Sequence, residues 1–163
     1  MAVFQTHTFS KYDDWMTPRD AWENINHLIP KNKVIWEPFY GDGTSGEYLR
    51  EMGHTVIHRD IDFFNNDEGE IIVTNPPFTL KKQVLQRLKL LNKPFILLCP
   101  ISMVSTAYYR ELFSESCQLI LPRRRIQFIK KNDDGEMVSD GRCNFDCAYF
   151  CHRIDLANDI IFL

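Results

Sequence analysis

The tetrapeptide Asn75-Pro76-Pro77-Phe78 combines residue types suited to work on an amino group. Two consecutive prolines after an apolar run stop a strand and fix the backbone. Each loses its N–H and keeps its carbonyl. An Asn side-chain oxygen and a proline carbonyl can then accept both hydrogens of one exocyclic amine. This draws the nitrogen lone pair out of conjugation and aims it at an electrophilic methyl, while Phe78 stacks on the ring. No covalent intermediate is needed, because positioning and hydrogen bonds matched to the transition state do the work. The competing reading is a strand-ending turn, since Asn-Pro initiates turns.

A second constellation lies upstream. Gly41, Gly43 and Gly46 spell G-x-G-x-x-G, which lets backbone N–H groups approach a ligand at the start of a helix. Alone the pattern is weak: glycine turns are common, and a nicotinamide-dependent oxidoreductase would show it too. That class leaves Asn75-Pro76-Pro77-Phe78 without a role and lacks room for a substrate domain. Glu37, directly before the loop, can accept from a ligand ammonium group. Asp60 falls at about the separation at which an acid grips ribose hydroxyls, although a turn residue is the plainer reading. Asp62-Phe63-Phe64 could hold an adenine ring, the acid by its amino group and an aromatic by its face. Core packing claims at least one of the two phenylalanines.

These residues need a frame, and the hydrophobic pattern supplies one. Thr17-Pro18 reads as an N-cap and first helical position, opening a helix through Trp22, Ile25 and Leu28 that stops near Pro30. Strands are expected over 34–37, 55–58 and 70–74, with a helix between the first two that ends near Gly53. A helix over about 80–91 carries Val84, Leu85, Leu88 and Leu91 at helical spacing. The apolar run 94–99 suits the centre of a sheet covered on both faces. A helix over 105–113 and a strand over 117–121 follow. Segments 126–129 and 145–153 are expected to pair as a hairpin. The result is an α/β sheet, mostly parallel with an antiparallel edge hairpin and helices on both faces.

The chain has 163 residues, 44% hydrophobic and 25% charged, with a net charge of -3. That composition fits one globular domain over 1–163, with residues 1–11 as a loose arm. No run approaches the ~20 apolar residues of a membrane span. No secretory signal and an odd cysteine count of 5 point to a cytoplasmic, reducing setting with free thiols. The charge balance is not basic, so any nucleic-acid contact must be local. Arg123, Arg124 and Arg125 could supply it through phosphates, with Lys130 and Lys131 beyond; a solvated basic strand is the alternative. Cys143, Cys147, Cys151 and His152 lack the tight C-x-x-C spacing of zinc sites. Spacing of four along a strand puts those cysteines on one face as small apolar residues, and no metal is expected.

The motifs together resemble those of amino-group methyltransferases that use S-adenosylmethionine (SAM). Glu37-Pro38-Phe39-Tyr40-Gly41-Asp42-Gly43 is similar to their D/E-P-F-x-G-x-G cofactor motif, and Asn75-Pro76-Pro77-Phe78 to their catalytic D/N-P-P-Y/F/W motif. Residues 12–18, Tyr12-Asp13-Asp14-Trp15-Met16-Thr17-Pro18, resemble the short segment that closes over the methionine end of the cofactor. Asp60, Asp62 and Phe63 match the ribose and adenine positions. The resemblance covers roughly residues 12–100, and phage-type adenine-N6 DNA methyltransferases look closest. It implies a class I methyltransferase Rossmann-like sheet. The implied cofactor contacts are Tyr12, Trp15, Thr17, Pro18, Glu37, Pro38, Phe39, Gly41, Gly43, Asp60, Asp62 and Phe63. The implied catalytic residues are Asn75, Pro76, Pro77 and Phe78, acting on adenine N6 in nucleic acid, DNA foremost.

The chain departs from that pattern in two places. The stretch between Asp60 and Asn75 is short, so one helix and strand of the usual sheet are abbreviated or absent. No large target-recognition domain is evident, which leaves room for a recognition partner or a homo-oligomer. RNA methylation, protein glutamine-N5 methylation and a SAM-binding subunit that depends on a catalytic partner remain alternatives.

Overall fold

A computed structural model of the chain describes residues 15–130, Asp134, Glu136 and residues 145–163. In chain order the elements are β1 (Trp15–Met16), α1 (Arg19–Glu23), β2 (Ile35–Trp36), α2 (Thr44–Glu51), β3 (Val56–Ile57) and β4 (Ile71–Thr74). Then come α3 (Lys81–Leu91), β5 (Phe95–Pro100), α4 (Ala107–Phe113), β6 (Gln118–Leu121), β7 (Ile129–Lys130), β8 (Cys147–His152) and β9 (Ile160–Phe162). Seven strands form one sheet in the order β3-β2-β4-β5-β8-β6-β9. The β2–β3, β2–β4, β4–β5 and β6–β9 pairs are parallel, and β8 runs antiparallel to both β5 and β6.

Alternation along the strands divides the core into two layers, because successive side chains point to opposite faces. Ile35, Ile71, Val73, Ile96, Leu98, Tyr149 and Cys151 face Trp22 of α1 and Leu49 of α2. Trp36, Ile72, Phe95, Leu97, Ala148 and Phe150 face Val84, Leu85 and Leu88 of α3 and Tyr109 and Phe113 of α4. The Rossmann-like, mostly parallel sheet with helices on both faces is therefore present. Residues 58–70 carry no helix or strand, so the shortness of this stretch translates into a missing strand and helix beyond β3.

Three expectations need correction. The hairpin between 126–129 and 145–153 does not form. β8 is buried along its whole length and takes β5 and β6 as partners, with six register pairs from Phe95↔His152 to Pro100↔Cys147. A strand buried on both faces needs a neighbour on each side, and β5 and β6 supply them. The edge is instead β9, parallel to β6. The basic segment around Arg123–125 is not a strand; only Ile129–Lys130 is, and it pairs antiparallel with Trp15–Met16 in a separate two-stranded ribbon. Finally, Thr17 does not cap α1. Pro18 occupies the N-cap position, without a side-chain cap bond, and α1 ends at Glu23 before a short 3-10 turn over Asn26–Leu28.

Candidate active site

From β2 the chain passes to β3 on one side and then to β4 on the other. The gap between the carboxyl ends of β2 and β4 is therefore the topological switch point, where open α/β sheets place their ligands. Glu37 follows β2 there, and Asn75 follows β4.

Glu37 is 1% exposed. Its Oε1 accepts from the Phe39 N–H at 3.1 Å and from the Thr74 hydroxyl. Burial pushes this carboxyl up to about 8, against hydrogen bonds from Thr74, Phe39 and Ser45 that favour the charged form. Burial disfavours a charged carboxylate unless a counter-charge is near. Ser45 is itself held by the indole of Trp22, whose Nε1 donates to its Oγ at 2.6 Å.

The glycine loop wraps the same corner. Gly41 and Gly43 have φ of 58° and 86°, left-handed values that favour glycine. Gly43 caps α2, and the Asp42 carboxylate accepts from the Thr44 N–H and hydroxyl at 3.1 and 2.6 Å. Gly46 serves a different purpose: a Cβ there would stand 2.3 Å from Cδ2 of His58. That buried histidine donates from Nδ1 to the Glu37 carbonyl at 2.8 Å and stacks on Tyr40 at 4.9 Å. Burial holds its pKa below the ordinary value, so the ring is neutral at pH 7.

Asn75 completes the site. Its Nδ2 donates to the Thr17 hydroxyl at 2.8 Å, while its Oδ1 is buried and has no partner. A buried acceptor without a donor is costly and uncommon. Pro77 accepts from the Leu80 N–H at 3.0 Å. Phe78 opens a 3-10 turn and meets Phe128 and Phe145 edge-on at 6.0 and 5.2 Å. Phe145 in turn meets Trp15 at 6.5 Å, and Lys130 Nζ lies 5.7 Å from the Trp15 ring centroid.

The structure thus gathers Trp15, Thr17, Glu37, Phe39, Gly41, Gly43, Asn75 and Phe78 around one corner of the sheet. Pro38 and Pro76 are buried in its wall, while Pro18 and Pro77 are half-buried. Phe63 is buried against Trp36 and Phe39 at 5.6 and 5.0 Å; its ring belongs to the core, and half-buried Phe64 packs edge-on against it at 5.2 Å. Asp62 closes its own loop, accepting from the Phe64 N–H at 3.0 Å and from the Asn65 side chain. Asp60 is exposed. Arg125 forms a two-pronged pair with Asp146, at 2.7 and 3.1 Å, so its guanidinium ties the loop to β8. This pair draws the Asp146 carboxyl below its usual range. Arg123 and Arg124 are exposed and make no ion pair among the described residues. Tyr12, Cys143 and Lys131 lie outside the described residues. Cys147 and Cys151 share one core face and carry free thiols.

Sequence reasoning missed Thr74, Ser45 and His58. A threonine ending the apolar run Ile71–Thr74 was the available signal for the first. The other two act through contacts that spacing does not reveal.

No protein-family model and no curated protein matches the chain. Among solved structures, a dimethyladenosine transferase from Plasmodium falciparum aligns with a TM-score of 0.50 and 11% identity, over 84% of this chain and 62% of its own. A Listeria monocytogenes protein assigned to the class I SAM-dependent methyltransferases aligns over 96% of this chain and 67% of its own, with a TM-score of 0.48 and 12% identity. TrmN from Thermus thermophilus aligns over 82% of this chain and 47% of its own, with a TM-score of 0.36 and 12% identity. At such identity the likeness to the Plasmodium enzyme is one of fold: a Rossmann-like, mostly parallel sheet with one antiparallel strand.

Proposed function

We propose that the chain is a SAM-dependent methyltransferase that modifies the exocyclic N6 of adenine in nucleic acid, with DNA as the leading substrate. The observation that carries this reading is the buried, unpartnered Asn75 Oδ1. An exocyclic amine offers two N–H donors, one for this oxygen and one for the carbonyl of the adjoining Pro76. The residues also fit the cofactor: a buried carboxyl that calls for a cation at Glu37, and a loop whose left-handed glycines bring backbone N–H groups close.

SAM, when bound, supplies an electrophilic methyl. The chain's own residues do the rest. Glu37 takes the ammonium group, and the glycine loop with Trp15 and Pro18 encloses the methionine end. Asp60 and Asp62 serve the ribose and adenine. Asn75 Oδ1 and the Pro76 carbonyl accept the amine hydrogens and stabilise positive charge developing on nitrogen. Phe78 supports the base, which must leave any duplex stack to reach this pocket. Arg123 and Arg124 meet phosphates. The fold neighbour named for dimethyladenosine formation is consistent with adenine as the acceptor.

The test is transfer of a labelled methyl group from SAM to DNA, RNA and protein pools, followed by nucleoside and amino-acid analysis. N6-methyladenine in DNA is expected. Label in RNA alone, or on glutamine, would replace the substrate. No transfer with SAM bound would make the chain a partner-dependent subunit.

A further inference from the structure

A carboxamide is nearly symmetric in shape, and its two ends differ only in hydrogen bonding. Asn75 can help an amine only if its oxygen faces outward, because an outward NH2 would confront the amine's own hydrogens. Among the described residues, the Thr17 hydroxyl touches the other end of this amide, 2.8 Å from Nδ2. Thr17 is 7% exposed, so water does not readily replace it.

Thr17 is also well anchored. On one side it follows β1, which is hydrogen-bonded to β7; Met16 of that strand packs on the glycine loop, its Sδ 3.4 Å from where a Gly41 Cβ would stand. On the other side lies α1, whose Ala21 carbonyl accepts from the buried Tyr149 hydroxyl.

We propose that Thr17 is the positioning residue of the catalytic amide: its hydroxyl occupies Nδ2 and fixes the amide plane so that Oδ1 receives the substrate amine. The hydroxyl can donate or accept, so it sets the plane, and the incoming amine then selects the oxygen-outward arrangement as the one that satisfies every group. This rests on reading Asn75 as the amine acceptor. It gives Thr17 a task distinct from contacting the cofactor.

Thr17→Val keeps the shape and removes the hydroxyl; Thr17→Ser keeps the hydroxyl. Thr17→Val is expected to lower kcat for methyl transfer at least about tenfold, the worth of one hydrogen bond felt at the transition state. KM for nucleic acid should stay within about twofold of wild type. Thr17→Ser should recover most of the rate. Wild-type kcat in Thr17→Val, or a Thr17→Ser variant equally impaired, overturns the proposal.

A second readout does not need turnover. The Asn75 side-chain amide resonances, assigned by their loss in Asn75→Ala, should exchange with solvent faster in Thr17→Val and at the wild-type rate in Thr17→Ser. Unchanged exchange in Thr17→Val also overturns the proposal. If the wild-type protein methylates nothing, the functional reading fails by itself, and the amide exchange still decides whether Thr17 holds Asn75.

Discussion

Glu37 and the Oδ1 of Asn75 are both buried polar groups whose needs the protein leaves unmet, and we propose that at each the ligand meets them. For Glu37 the shortfall is a counter-charge. Its folded pKa of about 8 lies above the ordinary 4.5, so the folded protein binds a proton that the unfolded chain releases. This carboxyl's contribution to stability is full below about pH 4.5, falls between 4.5 and 8, and is flat above. Thermal melts across that range should show the fall in wild type and lose it in Glu37→Gln. A cationic ligand reverses the preference and drives the proton off. Calorimetry of SAM binding at pH 6.5 in buffers of different ionisation enthalpy should therefore detect close to one proton released per site. Release near zero would mean that Glu37 is already ionised or does not meet the ligand.

At the scale of elements, the glycine-rich turn joins β2 to α2 and is locked by His58 at the end of β3. Alanine ordinarily stabilises a helix position by about 1 kcal/mol over glycine. At Gly46 the clash with His58 wins, because that ring is tied to the Glu37 carbonyl and stacked on Tyr40. Gly46→Ala should destabilise the fold by about 1–3 kcal/mol in denaturant unfolding, and a variant as stable as wild type would mean that His58 can move aside. The elements around this turn were legible because their signals are local. Ile35–Trp36, Ile71–Thr74 and Phe95–Pro100 are apolar runs closed by Pro or Gly, and Lys81–Leu91 keeps a helical period. What was not legible was pairing between distant segments. β8 shows an apolar run but not which strands flank it, and nothing in Trp15–Met16 announces Ile129–Lys130 as its partner. The motif at 75–78 could be read from residue types, whereas the Thr17–Asn75 bond needed the fold.

Across the whole molecule, the sheet places Glu37 and Asn75 at adjacent strand ends, the corners we propose for cofactor and catalysis. Ligand binding to the native state should raise the melting temperature. SAM at a hundredfold excess over Kd is worth about 2.7 kcal/mol, and NAD at the same concentration should do nothing. The exposed Arg123 and Arg124 lie on the loop after β6, while Arg125 is held by Asp146. Arg124→Ala should weaken nucleic-acid binding most at low salt and reduce the salt slope by about 1, with Arg125→Ala acting mainly through the loop; a salt-independent loss at Arg124 would exclude a phosphate contact. The most direct test of the chemistry compares wild type and Asn75→Ala for N6-methyladenine formation and, on the same preparations, for SAM affinity. Methylation by wild type, loss of methylation in the variant and unchanged SAM affinity are expected. A variant that still methylates, or one that loses methylation and SAM binding together, would contradict the assignment of Asn75 as the group that receives the amine.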